Sequence, residues 1–445
     1  MINFLTLGNF RAFKRQRFDF SKINIFVGPN NAGKSSALSA LNVIAQTLLD
    51  YERGAPLVLR GQYDDLGTYI DVVHGNHPNT QIDFEFGIDD FQFNLGYKYK
   101  KSRREIDLKK FELLRNSENI YSYYLRNDSY EINYLGRSIS DILPDHRKRR
   151  PIFRSFLPFD LNTREFRFFS ESRKKDGSAT EVFDRVDSEL RRGARRVRDH
   201  FLNFDSLSPF REQPIRTYLY SGVNPNSVGR TGANSIDILV ADSFGRGASR
   251  ESFVDGASKW FEEAGIASEL VVKELTSRHF EICVKGMDGR EHNLCDVGFG
   301  CSQVLPVLIG GLKMGRVGSK MRPPVFLVQE PEIHLHPNAQ AELGSFFSFI
   351  SKGNGQIFVE THSDNMILRI QSHVASGDIN PSDVVIYYIY DEGGEKQVRR
   401  MNLNKNGFFE EDWPGGFFPY RKDESLRLAK IGGSQLSLKL NSLDR

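Results

Sequence analysis

The sequence has 445 residues, 39% hydrophobic and 26% charged, which excludes a disordered chain and, at about 150 residues per domain, implies two or three units. Its apolar runs, such as 304–309 and 325–328, are far short of the roughly 20 residues that span a membrane, and the opening residues lack a signal-peptide pattern. The net charge of +3 hides a basic middle: residues 97–216 hold 28 Lys/Arg against 19 Asp/Glu, between acidic flanks, which suggests a module with its own partner. Three cysteines, Cys283, Cys295 and Cys301, have no metal-ligand spacing, so a cytoplasmic protein with reduced thiols and no membrane partner is expected.

In chain order, Ile23–Val27 reads as a short buried strand, 28–33 as a turn-rich loop, and 35–50 as a helix with Ala37, Leu38, Leu41, Ile44 and Leu48 at helical spacing. Residues 81–87 and 91–95 alternate like antiparallel strands around a Gly-Ile-Asp-Asp turn. Residues 111–134 are rich in aromatics with weak periodicity, 146–150 form a charge run, and 188–204 read as an arginine-rich helix. The basic region 97–216 therefore reads as a largely helical insertion. Beyond it, 270–275 and 279–285 read as a strand pair, 303–314 as a helix, 324–329 as a strand, 338–350 as a helix, and 356–360 and 384–390 as strands. Strands alternating with helices predict an α/β fold with a largely parallel sheet flanked by helices, plus an antiparallel β lobe.

Four segments carry chemistry. Gly28-Pro-Asn30-Asn31-Ala32-Gly33-Lys34-Ser35 fits the phosphate-binding pattern Gly-x4-Gly-Lys-Ser/Thr, with the required strand before it and helix after it. Its glycines let backbone N–H groups turn toward phosphates, Lys34 reaches the β/γ oxygens, and the Ser35 hydroxyl reaches Mg2+, with Ser36 next in the helix. The strand 324–329 ends in Gln329-Glu330-Pro331-Glu332, where a metal-shell residue and a water-polarising Glu are needed. Gln329 takes the metal position without a charge, and Glu330 is the candidate general base; a solvated Glu pair is the plain alternative. His362, in Glu360-Thr361-His362-Ser363 at another strand end, is placed to sense a γ-phosphate, although a lone His is more often structural. Asp296-Val-Gly-Phe-Gly300-Cys-Ser302-Gln303 opens a helix and offers a second anion-binding end, or a plain N-cap at Ser302.

These segments, in this order, resemble an ATP-binding-cassette (ABC) ATPase of the branch shared by chromosome-maintenance and overcoming-lysogenization-defect (OLD) proteins. Ser302 and its glycines resemble the signature motif, Gln329-Glu330 the second nucleotide motif, and His362 the switch histidine. The segment Asp296–Pro306, Glu330-Pro-Glu-Ile-His-Leu-His-Pro337, the opening Asn9-Phe-Arg-Ala-Phe13 and the tail Trp413-Pro-Gly-Gly-Phe-Phe418 resemble stand-alone AAA-family ATPases of bacterial defence systems that carry a small C-terminal domain of unknown function. The resemblance covers roughly 1–95 and 217–425 and implies an ABC-ATPase-like P-loop fold with ATP and Mg2+ as cofactors. It also implies that Ser302 completes the site of a second subunit, in a homodimer or higher homo-oligomer with ATP at the interface. Gln62 sits in about the right part of the first lobe for the Q-loop metal contact, with a solvated loop Gln equally open. The departure is Gln329, where many relatives carry an acid.

The expected division is an N-terminal ATPase lobe at 1–96, the basic insertion at 97–216, a C-terminal ATPase lobe at 217–370 and a small extension at 371–445. The leading expectation is an ATPase whose nucleotide-driven dimerisation senses or scaffolds a separately encoded nuclease or toxin in antiphage defence. The 147–198 basic residues read as a solvated helix face, a docking surface for an acidic partner or a nucleic-acid site, with Phe166, Phe168, Phe169 and Phe201 for core packing or for stacking on bases. The alternatives are a DNA repair or recombination ATPase of the chromosome-maintenance type, and a slow ATP-binding interaction module, which Gln329 permits. The acidic turn Asp391-Glu392-Gly-Gly-Glu395 reads as a surface turn, and no nuclease metal set is recognised.

Overall fold

Strands apolar on one face build one kind of sheet and strands apolar on both faces another, and this chain contains both. The computed structural model describes residues 1–50, 54–126, 129–138, 151–158, 177–244, 252–316, 323–413 and 427. An eight-stranded antiparallel sheet has the order β2-β1-β4-β5-β6-β7-β8-β9. Its strands are β1 (Ile2–Phe10), β2 (Phe13–Asp19), β4 (Ile82–Ile88), β5 (Phe91–Lys100), β6 (Glu105–Arg115), β7 (Glu118–Arg126), β8 (Ser129–Tyr134) and β9 (Arg137–Ser138), while β3 (Ile23–Val27) leaves for the second sheet. A short hairpin, β10 (Phe153–Arg154) with β11 (Leu157–Pro158), follows.

The second sheet has six strands in the order β12-β17-β18-β3-β19-β20: β12 (Phe204–Leu207), β17 (Val325–Gln329), β18 (Gln356–Glu360), β19 (Val384–Glu392) and β20 (Glu395–Met401) join β3. All neighbours pair in parallel except β19 with β20. A smaller sheet holds β13 (Tyr218–Leu219), β14 (Glu269–Thr276), β15 (His279–Lys285) and β16 (Glu291–Asn293). The helices are α1 (Lys34–Leu49), the short α2 (Tyr69–Val72), α3 (Gly177–Phe201), α4 (Ser235–Ser243), α5 (Phe253–Glu263), α6 (Phe299–Gly315), α7 (Pro337–Ile350) and α8 (Asp364–Ala375).

The six-stranded sheet separates two cores. Phe26, Leu327, Phe358 and Tyr387 point into one, with α1, α3 and the antiparallel sheet. Ile25, Val27, Phe326, Val328, Val359 and Ile386 point into the other, with α4 to α8. Successive residues of a strand face opposite sides, so a strand covered on both faces reads as a continuous apolar run, as 325–328 does. The five spaced apolar residues expected for α1 are all buried in the first core.

The basic middle differs from the expectation. Strands β5 to β9 and their turns occupy the described residues from 97 to 138, and α3 is its only helix among the described residues. Register shifts at Gly96/Tyr97 and at Leu113/Leu114 interrupt the alternation of inward and outward residues, which hides a strand from a pattern of period two. The expected boundary at 96 and 97 falls inside β5, and that at 370 and 371 inside α8. Helix α3 starts earlier than 188 and stops at Phe201, because Phe204–Leu207 pairs in parallel with β17 instead. Arg147, Lys148, Arg149, Arg150, Phe166, Phe168 and Phe169, and 414–418 of the aromatic tail, lie outside the described residues. Phe201 is fully buried and Trp413 packs on Tyr388 and Phe409.

Candidate active site

Parallel pairing brings three strand ends to one edge of the six-stranded sheet. Gln329 lies opposite Glu360, and Glu360 opposite Phe26, so the end of β18 sits between the end of β17 and the loop leaving β3. Ligand sites of open α/β sheets form at such carboxyl edges.

The loop needs its glycines. Gly28 has φ +147°, and a Cβ there would lie 1.9 Å from the Ile389 carbonyl oxygen. Gly33 has φ +108°, and a Cβ there would lie 2.7 Å from the Ala12 Cβ, in the β1–β2 turn. Asn30 and Asn31 arch into solvent, Ala32 and Ser36 are buried, and α1 begins at Lys34 without a side-chain cap, which leaves its first N–H groups directed at the loop. The Lys34 ammonium is buried under the arch and donates to the carbonyls of Gly28 at 3.0 Å and Pro29 at 2.9 Å. Burial lowers its pKa from the ordinary lysine value, while Glu360, Glu330 and Glu332 pull it back up.

The carboxylate beside Ser35 comes from β18. The Ser35 hydroxyl donates to Glu360 Oε1 at 2.9 Å, and Gln329 Nε2 donates to Glu360 Oε2 at 2.9 Å. A carboxylate thus sits one strand over from the uncharged Gln329, bridging it to Ser35. Burial pushes the Glu360 carboxyl up, and the hydrogen bonds from Gln329 and Ser35, with the charge of Lys34, oppose that. Among the described residues no group of three or more His, Cys, Asp or Glu is placed to hold a metal. One carboxylate, a hydroxyl and an amide nonetheless suit Mg2+, which keeps several waters and uses substrate phosphates as ligands. Nothing in the sequence marks Glu360, which closes an apolar strand and has no spacing of its own.

Glu330 is half-buried, has a left-handed backbone (φ +45°), and donates its N–H to the Glu360 carbonyl at 2.7 Å. Glu332 is buried and accepts the His362 N–H at 2.6 Å, tying the ends of β17 and β18 together; burial raises its pKa above the ordinary carboxylate value. The His362 side chain is the most open of the group. Partial desolvation lowers its pKa, Lys34 acts in the same direction, and Glu330 opposes both. Arg211, which no motif marks, is 8% exposed and donates through Nη2 to the carbonyls of Gln329 at 2.9 Å and Glu330 at 3.0 Å.

Ser302 is buried in the first turn of α6, and its hydroxyl donates to the Phe299 carbonyl at 3.0 Å. A Cβ on Gly300 would lie 2.8 Å from the His334 carbonyl, so this helix end rests on the loop after Glu330. Gln62 is not brought to the site. It lines a surface depression with Gln46, Leu49 and Asp50 at the far end of α1, where even Gln46 is roughly 16 Å along the axis from Ser35. Asp64 is the residue of that turn which reaches back, accepting the Ser39 hydroxyl at 2.8 Å.

Residues 23–368 match the family model described as "AAA domain, putative AbiEii toxin, Type IV TA system". No curated protein matches the sequence. Solved structures with similarity include an Smc head bound to the C-winged helix domain of ScpA, at 14% identity over 91% of this chain and 98% of that one, TM-score 0.38. The SMC head domain from Thermotoga maritima matches at 10% identity over 89% and 98%, TM-score 0.38. The Pyrococcus furiosus Smc head with an extended coiled coil, bound to the C-terminal domain of ScpA, matches at 13% over 90% and 96%, TM-score 0.39. Among the described residues no helix is long and apolar enough to cross a membrane.

Proposed function

Because the chain belongs to this family of AAA domains, we propose that it binds ATP with Mg2+ at the carboxyl edge of its parallel sheet and hydrolyses it. The observation that carries this is the convergence of Ser35, Glu360 and Gln329 beneath a loop that only glycines can form at both ends. The loop amides and Lys34 hold the phosphates, and Lys34 exchanges its two carbonyl acceptors for phosphate oxygens. Ser35 and Glu360 supply oxygens to the metal shell, with Gln329 fixing the Glu360 carboxylate. Mg2+, when bound, neutralises charge on the β- and γ-phosphate oxygens. Glu330 accepts the proton of the attacking water, and His362 reports on the γ-phosphate from the neighbouring strand end.

Gly300 and Ser302 act on the nucleotide of a second copy, in a head-to-tail homodimer or a larger homo-oligomer. That assembly senses or scaffolds a separately encoded nuclease or toxin in bacterial defence, a reading supported by the toxin–antitoxin system named in the family description. Slow turnover, as in a binding module, is the second reading, and the neutral Gln329 favours it.

Phosphate release by the pure protein, with Glu330→Gln beside it, tests the proposal. Turnover falls about 10²-fold or more in the variant while ATP still binds, because a general base contributes 10²–10⁴. Equal turnover in the two proteins moves the base elsewhere. Glu332 is then a poor substitute, since it is buried against the His362 amide.

A further inference from the structure

Arg211 lies outside every recognised motif, on the loop after β12, yet it is buried in the site. Its Nη2 donates to two consecutive carbonyls, those of Gln329 and Glu330. Its Nε and Nη1 are also buried, with no hydrogen-bond partner among the described residues, and Glu332 Oε2 is in the same condition. Burial lowers its pKa to about 10, and the charges that oppose the shift are those of Glu332 and Glu330. A buried guanidinium therefore sits on the backbone that follows β17, near enough to feel the charges of Glu332 and Glu330, with two donors unused.

Glu330 needs such a partner. A non-glycine residue at φ +45° persists only where its surroundings hold it. Two sets of bonds do so: its N–H to the Glu360 carbonyl, and the Arg211 fork on the carbonyls on either side of its own N–H. The loop carrying Arg211 is itself anchored. Ser208 and Glu212 donate their N–H groups to the carbonyls of Arg230 and Thr231, at 2.8 and 2.9 Å. Five residues further on, Arg216 forks onto both oxygens of Asp296, the residue that opens the Gly300–Ser302 segment, at 2.9 and 2.6 Å.

We propose that Arg211 is a positioning residue for hydrolysis: through the carbonyls of Gln329 and Glu330 it fixes the left-handed turn that aims the Glu330 carboxylate. This rests on the reading of Glu330 as the base. Arg211 touches the backbone of Glu330 and acts through it, so its removal should slow the chemical step and leave ATP binding alone.

The test measures ATP affinity, turnover, melting temperature and the pH profile of turnover in the full-length protein, for Arg211→Met, Arg211→Lys, Glu330→Gln and the double variant Arg211→Met/Glu330→Gln. Arg211→Met should lose about 10²-fold in kcat with ATP affinity within about twofold, a split that a misplaced base produces. The double variant should turn over no more slowly than Glu330→Gln alone, since both changes disable one group. If Arg211→Met is too unstable to assay, Arg211→Lys decides, because it keeps the buried charge but not the planar fork, and about a tenfold loss in kcat is expected. Wild-type kcat in Arg211→Lys, multiplying losses in the double variant, or a fall in ATP affinity at unchanged kcat each overturn the proposal. Wild-type protein that does not hydrolyse ATP overturns the ATPase reading and this one together. Normal wild-type turnover with indifferent Arg211 variants overturns this one alone.

Discussion

The six-stranded sheet and the eight-stranded sheet share a core but divide the work between them. In the six-stranded sheet, parallel pairing gathers chemically distinct side chains from remote parts of the sequence at one edge: Lys34, Gln329, Glu330, Glu360 and His362. From β4 onward the antiparallel sheet pairs neighbours in sequence, and it gathers packing instead, with fully buried Tyr97, Phe111, Tyr121 and Tyr123, and Phe156 of the β10–β11 turn against Phe86. Helix α3 covers it, and much of its charge is met locally. Arg191 pairs with Asp187 at 2.7 Å, Arg192 with Glu189 at 3.2 Å, and Arg196 with Asp89 across to the β4–β5 turn. A basic composition is therefore a weaker guide to a nucleic-acid surface than it looks in the sequence. The polar groups of one sheet are arranged to be used, and those of the other to be satisfied.

The widest separation of the two regions comes from crossing activity with stability. Lys34→Ala should abolish ATP binding at an unchanged melting temperature, read by nucleotide titration; wild-type affinity would contradict the site. Phe201→Ala should do the reverse. It empties a fully buried position at the end of α3, packed on Phe204 of β12, and costs about 3–5 kcal/mol of stability, with turnover per folded molecule intact. Denaturant melts of the two variants side by side measure the difference.

Opposite pH responses sharpen the contrast. His200, buried beside Phe201, has its pKa pushed down to about 3 by burial. The folded state binds that proton less tightly than the unfolded one, so stability is present above the ordinary histidine value and is lost as pH falls from about 6.5 toward 3, by about 1.4 kcal/mol per pH unit. His200→Gln should flatten this acid limb. Glu332 behaves oppositely. Its raised pKa means the folded state binds the proton more tightly, so stability is lost as pH rises through the raised value. Glu332→Gln keeps an acceptor for the His362 amide and should raise the melting temperature more at pH 7 than at pH 4. Equal gains at both pH values would place no buried charge there. The smallest effect concerns the surface of α3. Arg195→Glu with Arg198→Glu should leave basal turnover unchanged. Any duplex-DNA affinity of the full chain should fall together with its salt slope, by about 0.9 for each phosphate that is no longer neutralised. Affinity that ignores both would remove α3 as the surface.

Legibility in the sequence followed the same division. The phosphate loop, Glu330 and Ser302 with its glycines are contiguous patterns, and the strands beneath them are unbroken apolar runs. Glu360 and Arg211 could not be found that way. Each is an ordinary residue type that acquires its role from a neighbour 31 or 119 positions away, Gln329 in one case and Glu330 in the other. Gln62 failed for the converse reason: it lies in a suitable part of the sequence, but its turn packs on the later residues of α1, where Gly61 sits against Gln46. The antiparallel pair at 81–95 was legible from its alternation, the end of β5 and the strands after it were obscured by two bulges, and helix α3 was legible from its spaced Leu190, Val197 and Phe201 even though its start was not.

If Glu360 supplies across the sheet the acid absent at Gln329, a Mg2+ titration of ATP turnover separates wild type from Glu360→Gln. Loss of a group that orients or joins a metal shell costs 10–100-fold in metal affinity, so half-saturating Mg2+ should rise at least about tenfold in the variant. An unchanged Mg2+ requirement, with Ser35→Ala still impaired, would contradict the account and place the metal's protein oxygens elsewhere.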